Sequence, residues 1–490
     1  MRYLIAIDQS TQGTKAVLFD EEGKLIGRTD RKHKQIVNKK GWVSHDLKEI
    51  YENTILAVRE VLDRSDIKRE NVAAAGISNQ RESTAVWSRS GEPLAPSVVW
   101  QCSRAARISD RFKDSSPVIY EKTGLPLSPY FPAAKMAWLL ENLSLKEPYC
   151  LGTMDSYLVY RLTKGSSFLT DYSNASRTQL FNLHTLQWDE ELCRMFGVPI
   201  QALPKVCDSN ACFGYTDFEG YFDVPVPVYG VMGDSHAALF GQGCHMPGQA
   251  KATYGTGSSI MMNAGGTFIK SSSGLATSLA WGMEGRVEYV LEGNINYAGA
   301  VISWLKNDMG LIGSDEEVQE LVHKANQADT AVLIPAFTGL SAPYWKENAR
   351  AMIYGMSRTT GRAEFVKAAV ESIAFQVSDV LTAMEKDSKK TLKELCADGG
   401  PAKNRYLMQF QSDISDIRMR VSRQEELSAI GAAYMAGIAA GIYDRNKIFT
   451  NIEYDIYNSH MDKDSRFMRK NQWREGLNLV CQNTGGRGIS

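Results

Sequence analysis

The chain has 490 residues, more than one hydrophobic core usually supports, so two large domains or lobes are expected. Its 43% hydrophobic and 23% charged residues are typical of globular proteins and exclude a disordered or fibrous chain. The 55 Lys and Arg residues against 56 Asp and Glu give a net charge of -1. No global field therefore attracts nucleic acid or an anionic membrane, and small molecules are the expected partners.

The N-terminal residues before Asp8 are too few and too weakly apolar for a signal peptide. No stretch reaches the roughly 18 uninterrupted apolar residues that a membrane-spanning helix needs. The eight cysteines are scattered, without a CxxC pair or the spacing of a zinc site. We therefore expect reduced thiols in a cytoplasmic protein.

The first 80 residues alternate apolar runs with turns, which predicts strands over residues 3–7 and 16–19 and a third strand from Leu25. Asp46 is placed to cap a following helix, whose apolar residues recur every three or four positions. A short buried strand is predicted over residues 72–77. This order indicates an α/β sheet that begins with a strand meander.

The turn between the first two strands carries a dense set of polar side chains, from Asp8 to Lys15. Hydroxyls and backbone amides can donate to phosphate oxygens, Lys15 adds a positive charge, and Asp8 is suited to hold Mg²⁺ through water. The GxxxxGK[ST] order of a Walker A loop is missing. A phosphate-binding turn and an ordinary polar hairpin are both open interpretations of this octet.

Arg81 and Glu82 follow the predicted strand over residues 72–77, at the edge where an α/β sheet binds ligands. Together they offer donors and acceptors to a polyol, and the alternative is a surface ion pair. Trp100 and Tyr130 are suited to line a wall beside the C–H face of a sugar, although aromatic residues with such flanks are mostly core.

Asp234 follows an apolar strand predicted over residues 226–231 and precedes a small-residue helix over residues 237–240. A carboxylate at the end of a strand can act as general base on an attacking hydroxyl. The alternative role is a helix N-cap. His236 is expected to be structural, because no second ligand lies at metal-binding spacing.

The second half repeats this plan. It contains a small-residue turn at residues 254–259, a helix over 363–384, a strand over 392–397 that runs into Asp398-Gly399-Gly400, a helix beginning at Asn404 and an Ala- and Gly-rich helix over 427–440. Each glycine turn alone is more often structural, but three in one chain fit a nucleotide clamped between two lobes. The domain boundary is placed near residues 241–248, which gives domains 1–243 and 244–490.

The ordered set of motifs resembles the FGGY family of carbohydrate kinases, and within it the glycerol kinase branch most closely. The resemblance spans nearly the whole chain. The motifs are Asp8-Gln9 with Thr11 and Thr14, Gly41-Trp42-Val43 with His45-Asp46, Asn79-Gln80-Arg81-Glu82, Val99-Trp100-Gln101-Cys102, Asp171-Tyr172 with Asn174-Ala175-Ser176-Arg177-Thr178, Phe337-Thr338-Gly339-Leu340 with Ala342-Pro343-Tyr344-Trp345, and Asp398-Gly399-Gly400.

The resemblance implies an α/β fold of two actin-like, ribonuclease H-like ATPase domains around a central cleft. It also implies ATP-dependent phosphorylation of a polyol or small sugar, with ATP and Mg²⁺ as cofactors. The N-terminal domain would bind the substrate and carry the phosphate loop, and the C-terminal domain would bind the nucleotide. The implied catalytic base is Asp234, which together with Asp8 would organise the metal.

The resemblance also assigns the remaining site residues by motif. The substrate pocket would contain Arg81, Glu82, Trp100, Tyr130, Asp234, Ser235 and Ser259. The ATP and phosphate contacts would come from Thr11, Gln12, Thr14, Lys15, Thr256, Gly299, Gly400 and Asn404.

Three positions depart from the family's pattern. Ser235 stands where glycerol kinases usually have glutamine, and Ser259 where they usually have phenylalanine, so the pocket is expected to be wider and more polar than glycerol requires. This favours a tetritol, pentitol or ketose as substrate, with glycerol as the alternative. Lys15 replaces an arginine, which turns a bidentate phosphate contact into a point charge.

Two further questions stay open at this point. An actin-like ATP-binding sensor that makes no phosphorylated product is the alternative from another functional class. The sequence leaves the oligomeric state undecided, with a homodimer or a homotetramer as the candidates.

Overall fold

A computed structural model describes residues 1–145 and 148–482 of the chain. The strands of the N-terminal half are β1 Tyr3–Gln9, β2 Gly13–Phe19, β3 Leu25–Lys32, β4 Ile36–Val37, β5 Val43–His45, β6 Val72–Asn79, β7 Thr84–Ser88, β8 Ser97–Val98, β9 Tyr149–Thr153, β10 Leu169–Asp171, β11 Phe181–Asn182, β12 Gln187–Trp188, β13 Lys205–Cys207, β14 Tyr215–Thr216 and β15 Val226–Gly233. Its helices are α1 Leu47–Ser65, α2 Ala106–Asp110, α3 Ser116–Thr123, α4 Pro132–Asn142, α5 Met154–Leu162, α6 Tyr172–Ala175, α7 Glu190–Phe196 and α8 Asp234–Gly241.

The C-terminal half has fewer and longer elements. Its strands are β16 Ala250–Tyr254, β17 Ser258–Gly265, β18 Ala276–Met283, β19 Arg286–Ile295, β20 Val332–Ile334, β21 Met352–Tyr354, β22 Glu394–Asp398, β23 Arg418–Ser422 and β24 Tyr454–Tyr457. Its helices are α9 Gly299–Asn307, α10 Asp315–Lys324, α11 Arg362–Ser388, α12 Arg405–Ser415, α13 Leu427–Ala439 and α14 Lys463–Gln482.

Each half is built on one large sheet, and the two sheets repeat one plan. In the first sheet, β1, β2 and β3 form an antiparallel meander, and β6 and β15 extend it on the other side of β1 in parallel. In the second sheet, β16, β17 and β19 are the corresponding antiparallel strands, with β18 on the outer side of β19, and β22 and β23 are the parallel strands beside β16. The duplicated α/β plan predicted from the sequence is therefore confirmed.

The locally encoded elements match their predictions closely. Asp46 caps α1 as predicted, because its Oδ1 atom accepts a hydrogen bond from the Lys48 backbone N–H at 2.8 Å. The helix predicted over residues 363–384 is longer at both ends, and the strand predicted from residue 392 begins two residues later. No helix among the described residues combines the length and apolar character that crossing a bilayer requires.

Helix α13 lies in the C-terminal half of the sequence but packs against α8 and against strands β1, β6 and β15 of the first sheet. Small residues permit this close approach. A Cβ atom at Gly431 would lie 1.8 Å from the Ala237 carbonyl oxygen, and one at Gly76 would lie 2.4 Å from the Ala432 carbonyl oxygen. The two halves therefore meet along α8 and α13, which places the first residues of both helices at the junction.

Candidate active site

Arg81 and Glu82 lie directly after β6, as predicted, and both are buried. The exposed fractions of the two residues are 6% and 2%. Glu82 has a φ of 60°, a left-handed backbone conformation that residues with side chains rarely adopt. The alternative interpretation of these residues as a surface ion pair is therefore wrong.

Each of these two residues is held by an oppositely charged side chain from elsewhere in the chain. Arg81 donates from Nη1 and Nη2 to the two carboxylate oxygens of Glu292, at 3.0 and 2.8 Å. Arg177 donates from Nε to Glu82 Oε1 at 2.7 Å, and its Nη1 atom lies 2.8 Å from Glu292 Oε2. We call Arg81, Glu292, Arg177 and Glu82 the charge ring.

Asp234 lies beside this ring with its carboxylate reaching open space. Its side chain is 37% exposed, and its Oδ1 atom lies 3.2 Å from Arg81 Nε. Helix α8 begins at Asp234 itself, three residues before the predicted start, and Gly233 is its N-cap. The alternative of Asp234 as an N-cap is therefore wrong, and the carboxylate is available to a ligand. His236 is buried with Nε2 3.3 Å from Ser278 Oγ, which confirms its structural role.

The predicted aromatic wall is present beside Glu82. The rings of Trp100 and Tyr130 meet edge to face, with centroids 5.6 Å apart. Lys135, on α4, donates to the backbone carbonyls of Tyr130 and of Glu82, the latter at 3.4 Å. Burial lowers the pKa of Lys135 to about 7, although Glu82 acts in the opposite direction. Lys135 thus links the backbone of Tyr130, in the aromatic wall, to the backbone of Glu82, in the charge ring.

Thr11 and Gln12, both predicted phosphate ligands, lie at the tip of the hairpin between β1 and β2. The Thr11 hydroxyl accepts a hydrogen bond from Trp100 Nε1 at 2.9 Å and donates to Gln80 Oε1 at 3.3 Å. Gln12 is exposed. The structure thus places Thr11 next to the aromatic wall.

Asp8, Thr14 and Lys15 occupy the strands of the same hairpin. Ser78 on β6 donates to Asp8 Oδ1 at 2.9 Å, and burial raises the pKa of Asp8 to about 7, which Lys15 opposes. Thr14 is buried, with its hydroxyl 3.0 Å from His33 Nε2. Side chains alternate along a strand, so Thr14 and Lys15 point to opposite faces of β2.

A cavity of about 850 Å³ brings together four residues that were predicted to contact the nucleotide: Thr256, Gly299, Gly400 and Asn404. Gly299 begins α9 and its N–H donates to the Gly255 carbonyl at 2.9 Å. Asn404 caps α12 by accepting from the Leu407 N–H at 3.0 Å. Three separate turns of the C-terminal half therefore line one cavity.

A second cavity of about 560 Å³ shares Gly400 and Lys403 with the first. It extends to Lys15 on β2 and to Glu426 at the start of α13. The two cavities together connect the Thr256 turn of one sheet with the hairpin of the other.

Sequence reasoning missed Glu292 entirely and quoted Arg177 only as part of a motif. Both are charged residues inside otherwise apolar or small-residue segments, and both are almost fully buried. Glu292 follows the apolar run Tyr289-Val290-Leu291 within β19, and a charge at such a place is a usable signal, because an unpaired buried charge is costly and implies a partner.

The comparisons with known proteins identify the family of the chain. Residues 3–241 match the N-terminal domain model, and residues 250–440 the C-terminal domain model, of the FGGY family of carbohydrate kinases. The chain is 42% identical to a glycerol kinase of Alkaliphilus oremlandii, with 98% of both chains covered. It is 44% identical to a glycerol kinase of Thermotoga maritima, with 97% of this chain and 99% of the relative covered.

Solved structures give the same result for the fold. The glycerol kinase of Plasmodium falciparum with ADP superimposes with a TM-score of 0.93 at 33% identity, with 98% of both chains covered. A xylulose kinase of Lactobacillus acidophilus superimposes with a TM-score of 0.89 at 22% identity, with 99% of both chains covered, and so shares the fold.

Two duplicated α/β domains that match both domain models of one kinase family, with glycerol kinases as relatives over nearly the whole chain, define a phosphotransferase with an alcohol group as acceptor. The chain belongs to the FGGY family of carbohydrate kinases, and its domains have the actin-like ATPase fold of that family. It is a sugar or polyol kinase.

Proposed function

We propose that the chain transfers the γ-phosphoryl group of ATP to a hydroxyl of glycerol or of a somewhat longer polyol or ketose. The observation that carries this proposal is the position of Asp234. Its exposed carboxylate sits beside Arg81 at the junction of the two halves, with the aromatic wall on the N-terminal side.

In this proposal Asp234 accepts the proton of the attacking hydroxyl while the phosphoryl group is transferred. Arg81 donates to the other hydroxyls of the substrate, and Glu82 accepts from them. Trp100 and Tyr130 pack against the C–H face. Since phosphoryl transfer depends mainly on positioning and on charge stabilisation, a pocket whose charged side chains are held by partners suits it.

The nucleotide would lie in the cavity lined by Thr256, Gly299, Gly400 and Asn404, with its phosphates directed toward Lys15. Gly299 and Gly400 support this placement of the phosphates, because the backbone of a glycine can approach phosphate oxygens closely. Gly399 has a φ of 96°, and a Cβ atom there would lie 2.0 Å from the Tyr254 carbonyl oxygen. That turn therefore needs glycine for the fold itself.

The donor set around Asp8 fits Mg²⁺. Burial raises the pKa of Asp8 to about 7, and the negative charge of Asp234 acts in the same direction. A hard cation between the two carboxylates would stabilise the charged form of Asp8 and offset their mutual repulsion. Mg²⁺ is usually held by one or two carboxylates together with substrate phosphates, and it would neutralise charge on the phosphoryl oxygens. The described residues form no cluster of three or more His, Cys, Asp or Glu side chains that could hold a metal ion. A Mg²⁺ ion held by one or two carboxylates and by phosphates does not need such a cluster.

Two observations favour different acceptors. The relatives named above are glycerol kinases, which makes glycerol the first acceptor to test. By the motif resemblance, Ser235 and Ser259 stand where that branch usually has glutamine and phenylalanine, which favours a tetritol, pentitol or ketose. The hydroxyl of Ser259 donates to Glu292 Oε1 at 3.3 Å, so the small residue is integrated into the pocket wall.

The test is a mass-spectrometric screen for phosphorylated products. The purified chain, MgATP and one acceptor at a time are incubated, with glycerol, tetritols, pentitols and ketoses as the panel. We expect a phosphorylated product from at least one acceptor, and a ranking by kcat/KM identifies the preferred chain length. ATP binding by calorimetry without any phosphorylated product would instead support an ATP-driven sensor and refute the kinase.

A further inference from the structure

We propose that Glu292 is a positioning residue that sets both substrate-binding side chains, Arg81 directly and Glu82 through Arg177. This inference rests on the proposed function, because it concerns the same pocket. Glu292 lies on β19 of the C-terminal half, whereas the other three members of the charge ring belong to the N-terminal half. The substrate pocket is therefore completed by a residue of the opposite domain.

The hydrogen bonds around Glu292 use both of its oxygens. Oε1 accepts from Arg81 Nη2 at 2.8 Å and from Ser259 Oγ at 3.3 Å. Oε2 accepts from Arg81 Nη1 at 3.0 Å and lies 2.8 Å from Arg177 Nη1. A bidentate pair of this kind fixes the plane of the guanidinium group as well as its distance.

That fixed plane determines what Arg81 presents to the pocket. With both Nη atoms bound to Glu292, the Nε atom is the part of the group nearest to Asp234, at 3.2 Å from Oδ1. Without Glu292 the guanidinium would be free to rotate and to pair with Asp234 through its Nη atoms. Glu292 thus limits the contact of Arg81 with Asp234 to this single approach through Nε.

Arg177 transmits the same constraint to Glu82. Its Nε atom occupies Glu82 Oε1 at 2.7 Å, and its guanidinium group lies over the Phe131 ring, 5.2 Å from the centroid. Among the described residues Glu82 Oε2 has no hydrogen-bond partner, so it remains an acceptor for a hydroxyl. The charge ring therefore presents Arg81 to the pocket as a donor and Glu82 Oε2 as an acceptor.

The electrostatics of the ring explain why all four members are needed. Charges alternate around it, and the side chains of Glu292, Arg177 and Glu82 are each no more than 2% exposed. Burial disfavours the charged form of Glu292, yet Arg177 and Arg81 hold the pKa of its carboxyl well below the usual range. Removal of one charge would take a partner away from its buried neighbours, so charge-conserving variants are the informative ones.

The experiment compares Glu292→Asp and Arg177→Lys with the wild type. Aspartate is one methylene shorter, and lysine cannot bridge two carboxylates with a planar fork, while both keep the charge of the ring. We expect kcat/KM for the polyol to fall by about tenfold or more through its KM, and the KM for ATP to stay within about twofold. The matched control is Glu394→Asp, whose carboxylate pairs with Arg420 at 2.8 Å in the same sheet, away from the ring.

The two ways of failing are distinguishable. A wild-type chain that phosphorylates no polyol refutes the proposed function, and this inference with it. An active wild type whose Glu292→Asp and Arg177→Lys variants keep the polyol KM refutes the inference alone. A merely structural role would reduce the active fraction, and so kcat, without moving either KM, and the melting midpoint records that loss. Variants in opposite halves keep the test decisive if one of them does not fold.

Discussion

The Lys15 ammonium group donates to both carboxylate oxygens of Glu426, at 2.8 and 2.6 Å, and so joins the first hairpin of the chain to the start of α13. Glu426 is also contacted by Arg28 Nη1 at 2.7 Å. Its side chain is 6% exposed, whereas that of Lys15 is 30% exposed. The ammonium group is thus anchored on one side and open to the cavity on the other.

This arrangement predicts a specific role for Lys15 in ATP use. Lys15→Gln is expected to lower kcat/KM for ATP by about 10- to 100-fold, the usual range for loss of a charge-assisted hydrogen bond. Steady-state kinetics with a saturating polyol measures it. Arg28→Gln is the control, because it removes the other cation that contacts Glu426 but does not line the cavity. Equal losses in both variants would assign the effect to Glu426 and not to phosphate contact.

Asp234→Asn is expected to lower kcat by at least about 100-fold while nucleotide binding persists. The amide keeps the size of the side chain and cannot accept a proton. Turnover is measured with the preferred acceptor, and ATP affinity by calorimetry. Unchanged turnover would remove Asp234 from the chemical step.

Ser259→Phe tests the width of the pocket. The ring would occupy space beside Glu292, so kcat/KM for a pentitol relative to glycerol is expected to fall by about tenfold or more. Ser259→Ala serves as the control, since it removes the hydroxyl without adding volume. An unchanged ratio in Ser259→Phe would place position 259 outside the part of the pocket that measures chain length.

Gly399 and Gly400 form a matched pair at the nucleotide cavity. Gly399→Ala introduces left-handed strain and a clash with the Tyr254 carbonyl, so it is expected to reduce the free energy of unfolding by more than about 1 kcal/mol. A Cβ atom at Gly400 meets nothing within 4 Å. Gly400→Ala is therefore expected to change stability by less than about 0.5 kcal/mol and to raise the KM for ATP. Equal destabilisation of both variants, in urea unfolding, would contradict this.

The burial of Lys135 leads us to expect that the free energy of unfolding depends on pH. Its pKa is lowered by burial to about 7, against about 10.4 in the unfolded chain, so between these values the unfolded state binds more protons. The free energy of unfolding should therefore rise with pH over this window, by about 1.4 kcal/mol per unit from this group. In Lys135→Met this contribution is absent. Urea unfolding at pH 7, 8 and 9 measures the difference, and parallel curves for the two proteins would refute it.

The elements that depend on local signals were predictable. Asp46 caps α1 because the cap and the apolar stripe that follows it lie within a few residues, and α11 was recognised from its apolar face alone. The start of α8 was missed because Gly233, not a polar side chain, serves as N-cap. The motif resemblance supplied the family, which local patterns alone could not.

The charge ring could not be predicted, because its members are distant in sequence. Arg81 and Glu292 are 211 positions apart, and Glu82 and Arg177 are 95 apart. No local periodicity links them, since their contact depends on how the two sheets meet. The orientation of Thr14 could not be predicted either. It depends on the register of β2 in the sheet, which decides the face of the strand on which Lys15 lies.

The close contact of α8 with α13 has a geometric consequence. Ser428 Oγ donates to the Asp234 carbonyl at 3.1 Å, so the first turns of the two helices are bound to each other. Because bare backbone touches backbone at Gly431 and at Gly241, even one added methyl group would wedge these helices apart. Two glycines therefore set the distance between α8 and α13, and with it the position of Asp234 relative to the first turn of α13.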